Sequence, residues 1–210
     1  MKDLIIVGAS GFGRELLQWI MDINKEKPTW NVLGFIDDNL SALDGKKCSF
    51  SVLSTISDFK FQKSIFFALA IARPKTKEAI VNKLKLRGAE FVNIIHPRAK
   101  ISDSAIYGDG FVMYPDAKLG PDTKVGNYVT LLSSGIGHDA IVEDYTTISS
   151  FCDITGGVKL GKCVFLASHS TIIPNIVIGD NSYIGAGSVV IRNVKSCTKV
   201  FGNPAREIDV

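Results

Sequence analysis

Three histidines stand in the chain: His96, His138 and His169. Histidine changes charge nearest neutral pH, so it is the first place to look for proton transfer. His138 is followed by a carboxylate, in Ile136-Gly137-His138-Asp139. A carboxylate beside a histidine orients the ring and stabilises the imidazolium. The pair therefore has the make-up of a general base with its supporting acid; the bland alternative is a solvated His-Asp pair at a chain corner. His96 precedes Pro97 and fits a packing role at a domain junction. His169, in Ala167-Ser168-His169-Ser170, fits an exposed corner.

A second candidate for chemistry lies at the start. Leu4 to Val7 is an apolar run that ends in Gly8-Ala9-Ser10-Gly11-Phe12-Gly13. A helical pattern follows from Arg14, with Leu16, Leu17, Ile20 and Ile23 on one face. Strand, glycine turn and helix together aim backbone N–H groups at a phosphate. The glycine spacing is G-x-x-G-x-G, not the dinucleotide fingerprint G-x-G-x-x-G. A second strand, Asn31 to Ile36, ends in Asp37-Asp38, at the carboxyl end of a parallel strand where such sheets place ligand contacts. Strands are also expected at Ser64–Ile71 and Glu90–Ile95, with a helix over Lys75–Arg87 closed by Gly88. An α/β region of this length is about half a doubly wound domain. It suits one nucleotide better than NAD, with a ligand-free tight turn as the plainer alternative.

From residue 101 the pattern changes. Ile101, Tyr107, Met113, Leu119, Val125 and Leu131 recur every six residues. After a slip of one residue they continue as Ile136, Val142, Ile148, Ile154, Leu160, Leu166, Ile172, Ile178, Ile184 and Val190. Four positions on, the residue is small or β-branched, as in Ala117, Thr123, Ala140 and Ser170. Neither helix nor simple strand has this period; it is the signature of a β-helix of stacked coils. Three hexapeptides form a coil, so sixteen units predict about five coils. Glycine often follows the large residue, as at Gly120, Gly126 and Gly137, and is expected at corners where a Cβ would strain the backbone. The predicted fold class is thus an α/β half-Rossmann unit over residues 1–95, followed by an all-β parallel β-helix over 96–210.

Composition sets outer bounds. The net charge is +3 over 210 residues, with no basic stripe interleaved with aromatics, so nucleic acid is not the expected partner. The longest apolar run, Ile65 to Ala72, is too short to span a membrane. The N-terminal apolar stretch mimics a signal peptide, but its glycines and the helix behind it mark a buried first strand. Cytoplasm is the expected location. Cys48, Cys152, Cys163 and Cys197 are widely spaced and expected as free thiols.

The segments GASGFGRE, FIDD, IIHPRA, GHDAIVED, IGAGSVV and FGNPAR follow one another in order. Together they make the chain resemble the bacterial nucleotide-sugar and sialic acid acetyltransferases of the hexapeptide superfamily, nearest the N-acetyltransferases of UDP-linked 4-amino sugars. The resemblance implies a left-handed coil and a homotrimer with acetyl-CoA lying between adjacent β-helices. It implies that the N-terminal domain holds the nucleotide of the acceptor sugar. His138 matches the family's general base and Asp139 its acidic partner. Gly156, Ser168 and Ala186 match positions along the cofactor groove. Ser10, Gly11, Phe12, Asp37, Asp38 and Ala72 match the nucleotide-sugar pocket. Thr147 departs from the pattern: the best-known type has a second histidine there, near the thioester carbonyl. A threonine hydroxyl can still donate a hydrogen bond.

Three readings of other kinds compete. A nicotinamide enzyme is disfavoured by the glycine spacing. Zinc catalysis needs three ligands, and only two histidines lie in the repeat, so no metal is expected. An inactive hexapeptide scaffold stays open, as does a hydroxyl in place of an amine as acceptor.

Overall fold

The computed structural model describes residues 1–62 and 64–208. Its first apolar run forms β1 (Lys2–Val7), whose last four residues are buried. The helix α1 (Gly11–Glu26) starts directly in the glycine turn, three residues ahead of the expected Arg14. Its Leu16 and Ile20 are fully buried, each worth about 1.5–3 kcal/mol of transfer free energy. β2 (Trp30–Ile36), β3 (Val52–Ser54), β4 (Phe66–Leu69), α2 (Pro74–Lys85) and β5 (Glu90–Phe91) complete a parallel sheet of order β3-β2-β1-β4-β5. The order reverses beside β1, the switch point where open α/β sheets bind ligands. β3 was not legible in the sequence: it is three residues long and carries no alternation. Gly88 ends the second helix as expected, with a φ of +87°.

The strand expected over Glu90–Ile95 divides in two. β5 pairs with β4, whereas β6 (Ile94–Ile95) pairs with Val112 and Met113 in the other half of the molecule. Asn93 is the pivot, its side-chain oxygen accepting the Phe111 N–H at 2.9 Å. One apolar run thus feeds two cores.

From β6 to β22 (Val189–Val190) every strand is two residues long, and the strands stack into a prism of three parallel sheets. The second residue of each is the large residue of the hexapeptide frame. On the second face Leu119 pairs with both Ile101 and Ile136. Those steps are eighteen and seventeen residues, so the one-residue slip is absorbed between Leu131 and Ile136. The first face carries Ile94, Val112, Thr130, Thr147, Phe165 and Tyr183, and the third carries Lys124, Ile141, Lys159 and Val177. The inward column is buried throughout from Met113 to Val190. The small residues Ala117, Thr123, Val129, Ala140, Thr146, Val158, Ser170 and Ser188 are all fully buried. A hairpin of β23 (Lys199–Gly202) and β24 (Ala205–Glu207) closes the end of the first face. Both helices of the α/β half lie against that first face, α1 through Phe12 and Trp19 on Tyr114, and α2 through Lys77 on Thr130 and Thr147 and Asn82 on Tyr145.

The expectation for the glycines is corrected. The corners are left-handed, but they hold mostly Asp116, Asp122, Tyr128, Asp139, Tyr145, Phe151, Cys163, His169, Asn175, Asn181 and Cys197, with φ near +60°. The glycines that follow the inward residues have ordinary φ and serve close approach instead. A Cβ on Gly126 would lie 2.8 Å from the backbone nitrogen of Asp144 in the next coil. A Cβ on Gly137 would lie 2.8 Å from that of Gly156. Gly135, by contrast, has nothing within 4 Å of such an atom. Gly126→Ala is therefore expected to cost about 1–3 kcal/mol by forcing adjacent coils apart. Gly135→Ala should stay within about 0.5 kcal/mol of the parent. Chemical denaturation of the two variants checks this, and equal stability would contradict the close-approach account.

Candidate functional site

His138 and Asp139 sit at the corner between the second and third faces, directly after β13 (Gly135–Ile136). The corner before them is one residue short, and a buried serine repairs it. Ser134 Oγ donates to the Ser149 carbonyl at 2.6 Å and accepts the Cys152 N–H at 2.8 Å. The Asp139 N–H donates to the Pro121 carbonyl at 2.9 Å, and its φ of +58° turns its side chain back onto its neighbour. His138 Nδ1 lies 2.7 Å from Asp139 Oδ2. An ionised carboxylate only accepts, so Nδ1 carries the proton and Nε2 keeps its lone pair. Both side chains are largely exposed, so the contact adds little stability; its effect is to orient the ring.

The ring lies over Gly156, one coil further on. A Cβ at residue 156 would stand 2.5 Å from both Cε1 and Nε2 of His138, so only glycine leaves the imidazole its place. The Gly156 N–H donates to no protein group among the described residues.

Ser168 and Ala186 stack on a different edge, between the first and second faces, where the Gly187 N–H donates to the Ser168 carbonyl at 3.0 Å. His169 is a left-handed corner residue of that same edge, exposed and stacked on Phe151 at 5.0 Å. His96 packs at the junction, edge-on to Trp19 at 5.4 Å, its Nδ1 accepting the Arg98 N–H.

The expected nucleotide residues gather at the switch point. Gly13 is required because a Cβ there would collide with the Gly8 carbonyl oxygen. Asp37 closes the glycine turn, its two oxygens accepting the N–H groups of Ala9 at 2.7 Å and Asn39 at 2.8 Å. Asp38 accepts the Ile56 N–H at 3.0 Å. Ser10 caps α1 with its backbone, its exposed side chain making no capping bond. Gly11, Phe12 and Ala72 line a cavity of about 220 Å³ whose other wall is the first face of the β-helix, through Thr130, Thr147 and Ser149. The structure thus brings Thr147 together with Gly11, Phe12 and Ala72. It leaves His138 and Gly156 on one edge and Ser168 and Ala186 on another.

Beneath that wall lies a residue the sequence reading missed. Lys77 of α2 is fully buried. Its ammonium donates to Thr147 Oγ1 at 2.7 Å, Thr130 Oγ1 at 2.9 Å and the carbonyl oxygens of Tyr128 at 3.1 Å and Thr146 at 3.3 Å. No carboxylate pairs with it among the described residues. Burial pushes its pKa down to about 7, with Cys163 opposing. The signal was present in the sequence: Lys77 stands in phase with Val81 and Leu84, the buried stripe of α2. On the next turn of contact, burial pushes the Cys163 thiol up to about 11. Glu78 is held below the ordinary glutamate range by its hydrogen bond from Lys162. Among the described residues no three His, Cys, Asp or Glu side chains cluster to hold a metal, and no helix is long and apolar enough to cross a membrane.

Residues 3–84 match the model of the PglD N-terminal domain, and residues 157–192 that of the bacterial transferase hexapeptide. The second match gives the coil its left hand. A GDP-perosamine N-acetyltransferase of Escherichia coli O157:H7 is 32% identical over 213 residues, covering 97% of this chain and 95% of that protein. The acetyltransferase domain of PglB from Neisseria gonorrhoeae, solved with acetyl coenzyme A, superposes with a TM-score of 0.87 at 21% identity over 99% of both chains. PerB from Caulobacter crescentus, solved with CoA and GDP-perosamine, superposes with a TM-score of 0.87 at 20% identity, covering 100% of this chain and 98% of that one.

The Lys77 environment predicts how stability depends on pH. Its folded pKa of about 7 lies below the ordinary lysine value of 10.5. Between those values the unfolded chain holds a proton the folded chain has released, so folding strengthens as pH rises through that window. Below pH 7 the cost of burying the charge is fully present. The melting temperature of Lys77→Met minus that of the parent is therefore expected to fall from pH 6 to pH 9. A difference that stays constant over that range would contradict the assignment.

Proposed function

The chain belongs to the hexapeptide-repeat N-acetyltransferases of nucleotide-linked amino sugars, and from that premise we propose that it moves the acetyl group of acetyl-CoA to the amine of such a sugar. The observation that carries this reading is the His138–Asp139 pair with its free Nε2 over Gly156. The neutral amine attacks the thioester carbonyl carbon while Nε2 takes its proton. Charge gathers on the carbonyl oxygen, and the unused Gly156 N–H is a donor suited to it. Collapse breaks the C–S bond, and the imidazolium returns the proton to the departing thiolate. Asp139 holds the tautomer throughout and stabilises the imidazolium.

Residues 1–95 are assigned to nucleotide-sugar binding, with Ser10, Gly11, Phe12, Asp37, Asp38 and Ala72 as contacts. Residues 96–210 are assigned to acyl transfer, with Thr147, Gly156, Ser168 and Ala186 along the cofactor. Both Asp37 oxygens already accept backbone N–H groups, so Asp37 also shapes the turn, whereas Asp38 uses only Oδ1 in this way. Within one chain these groups lie on separate edges and one face of the prism. A homotrimer resolves this: a neighbour's edge, bearing His138, completes the groove at each interface, and three such interfaces close a ring. The cytoplasm suits both proposed substrates and the free cysteines.

The direct test is thiol release from acetyl-CoA against UDP-, dTDP-, GDP- and CMP-linked sugars, amino and non-amino. Release with one amino sugar is the expected result. Release only with a hydroxyl acceptor would make the reaction O-acetylation, and no release would favour a scaffold. His138→Ala is expected to lower kcat by about 10²–10⁴-fold. Light scattering should give three times the chain mass of 22.8 kDa; a monomer that turns over would contradict the shared groove.

A further inference from the structure

The junction cavity has a wall whose hydrogen-bonding character is decided from behind. Thr130 and Thr147 line it, and both hydroxyl oxygens are engaged by Lys77. An ammonium has three protons and no lone pair, so it forces both hydroxyls to accept. Each hydroxyl then has one proton to place. Among the described residues neither finds an acceptor in the protein. Both threonines are nearly inaccessible, so these protons have little water to turn to except through the cavity itself.

We propose that Lys77 is a positioning residue that makes Thr130 and Thr147 a matched pair of hydrogen-bond donors for an accepting oxygen of the ligand in the junction cavity. This rests on the acetyltransferase reading and deepens it. Two oxygens have the required chemistry: the thioester carbonyl of the acyl donor, and a phosphate or sugar oxygen of the nucleotide-linked acceptor. The lysine does not touch the ligand. It acts by denying each hydroxyl a donor role toward the protein, which a neutral or shorter side chain would not do. A neutral amine would instead accept one hydroxyl proton and withdraw one donor from the cavity. Burial holds Lys77 close to that change, with a pKa of about 7. The other titratable groups on the elements around it include Lys75, Glu78, Lys83 and Lys85 of α2, Tyr128, Asp144, Tyr145, Lys162 and Cys163 of the β-helix, and Glu15 at the cavity.

Calorimetry on the full chain with four probes tests this: CoA, acetyl-CoA, the free nucleoside diphosphate and the nucleotide amino sugar that the parent acetylates. Thr130→Val, Thr147→Val and Lys77→Met preserve shape. Each is expected to weaken one probe about tenfold, the scale of one lost hydrogen bond to a strongly accepting oxygen. Weakening of acetyl-CoA but not CoA identifies the thioester carbonyl; weakening of an acceptor probe identifies the sugar or phosphate. The double variant Lys77→Met/Thr147→Val should lose no more than about the larger single loss, because the two act as one unit. Parent affinity for that probe should fall between pH 6 and pH 8.5, while Lys77→Met stays flat. Valine variants that weaken binding while a folded Lys77→Met binds like the parent would overturn the proposal. So would valine variants that all bind like the parent, and these need no lysine variant to fold. A parent chain that binds none of the probes removes the acetyltransferase reading and this proposal together; equal binding by parent and variants removes this proposal alone.

Discussion

Everything in the molecule depends on the contact between one coil of the β-helix and the next. Adjacent strands in a sheet lie about 4.7–4.9 Å apart. At that distance the residue after each inward aliphatic faces backbone of the neighbouring coil, and Gly120, Gly126, Gly137 and Gly161 meet it without a side chain. The register then repeats every eighteen residues, or seventeen across the short corner. Columns form automatically: aliphatics inside, small residues beside them, left-handed turns at the edges. The buried hydroxyls join this order. Thr146 Oγ1 donates to the Gly161 carbonyl and accepts the Val164 N–H, binding one coil to the next.

The same register makes the site. His138 meets Gly156 because they occupy one column, and Ser168 meets Ala186 for the same reason. A stacked column delivers residues from distant sequence to one edge with the precision of a sheet ladder, and without any loop to order. The cost is that one prism offers edges and faces; its second face bears an open groove lined by Leu119, Gly137 and Thr155, apart from the cavity at the junction with the α/β half. That geometry is the reason a groove shared by two copies is proposed.

Much of this was legible in the sequence, and the limits have physical causes. The sixteen inward residues could be named from period alone, because the period is a property of the coil and survives a one-residue deletion. Gly156 came from the resemblance, and a coil of eighteen residues puts it beside His138. The sheet of the first half was harder. β3 is too short to show a pattern, and the run over Glu90–Ile95 carries no mark that its two ends serve different sheets until Asn93 is seen to turn the chain. The corner glycines misled, since glycine serves both left-handed turns and close approach, and sequence alone does not separate the two. Tyrosine, phenylalanine and cysteine at left-handed corners run against intrinsic preference by about 1–2 kcal/mol each. They persist where stacking, as between Tyr128 and Tyr145 at 5.2 Å, recovers part of that cost.

Lys77 shows what pattern reading omits. A helix stripe of Lys77, Val81 and Leu84 looks like an apolar face with one error. In three dimensions the error faces four oxygens of a second domain. A buried, unpaired ammonium lowers stability, so its retention has to be explained by something other than packing. The seam it occupies joins the glycine turn to the β-helix, and its partner Thr147 stands nine residues beyond His138. The resemblance places a histidine there, whose ring nitrogens are fixed in the plane of the ring. A threonine hydroxyl rotates freely and has no such fixed donor. Lys77 restricts that freedom by occupying a lone pair of the oxygen, which is the physical basis of the positioning role proposed for it.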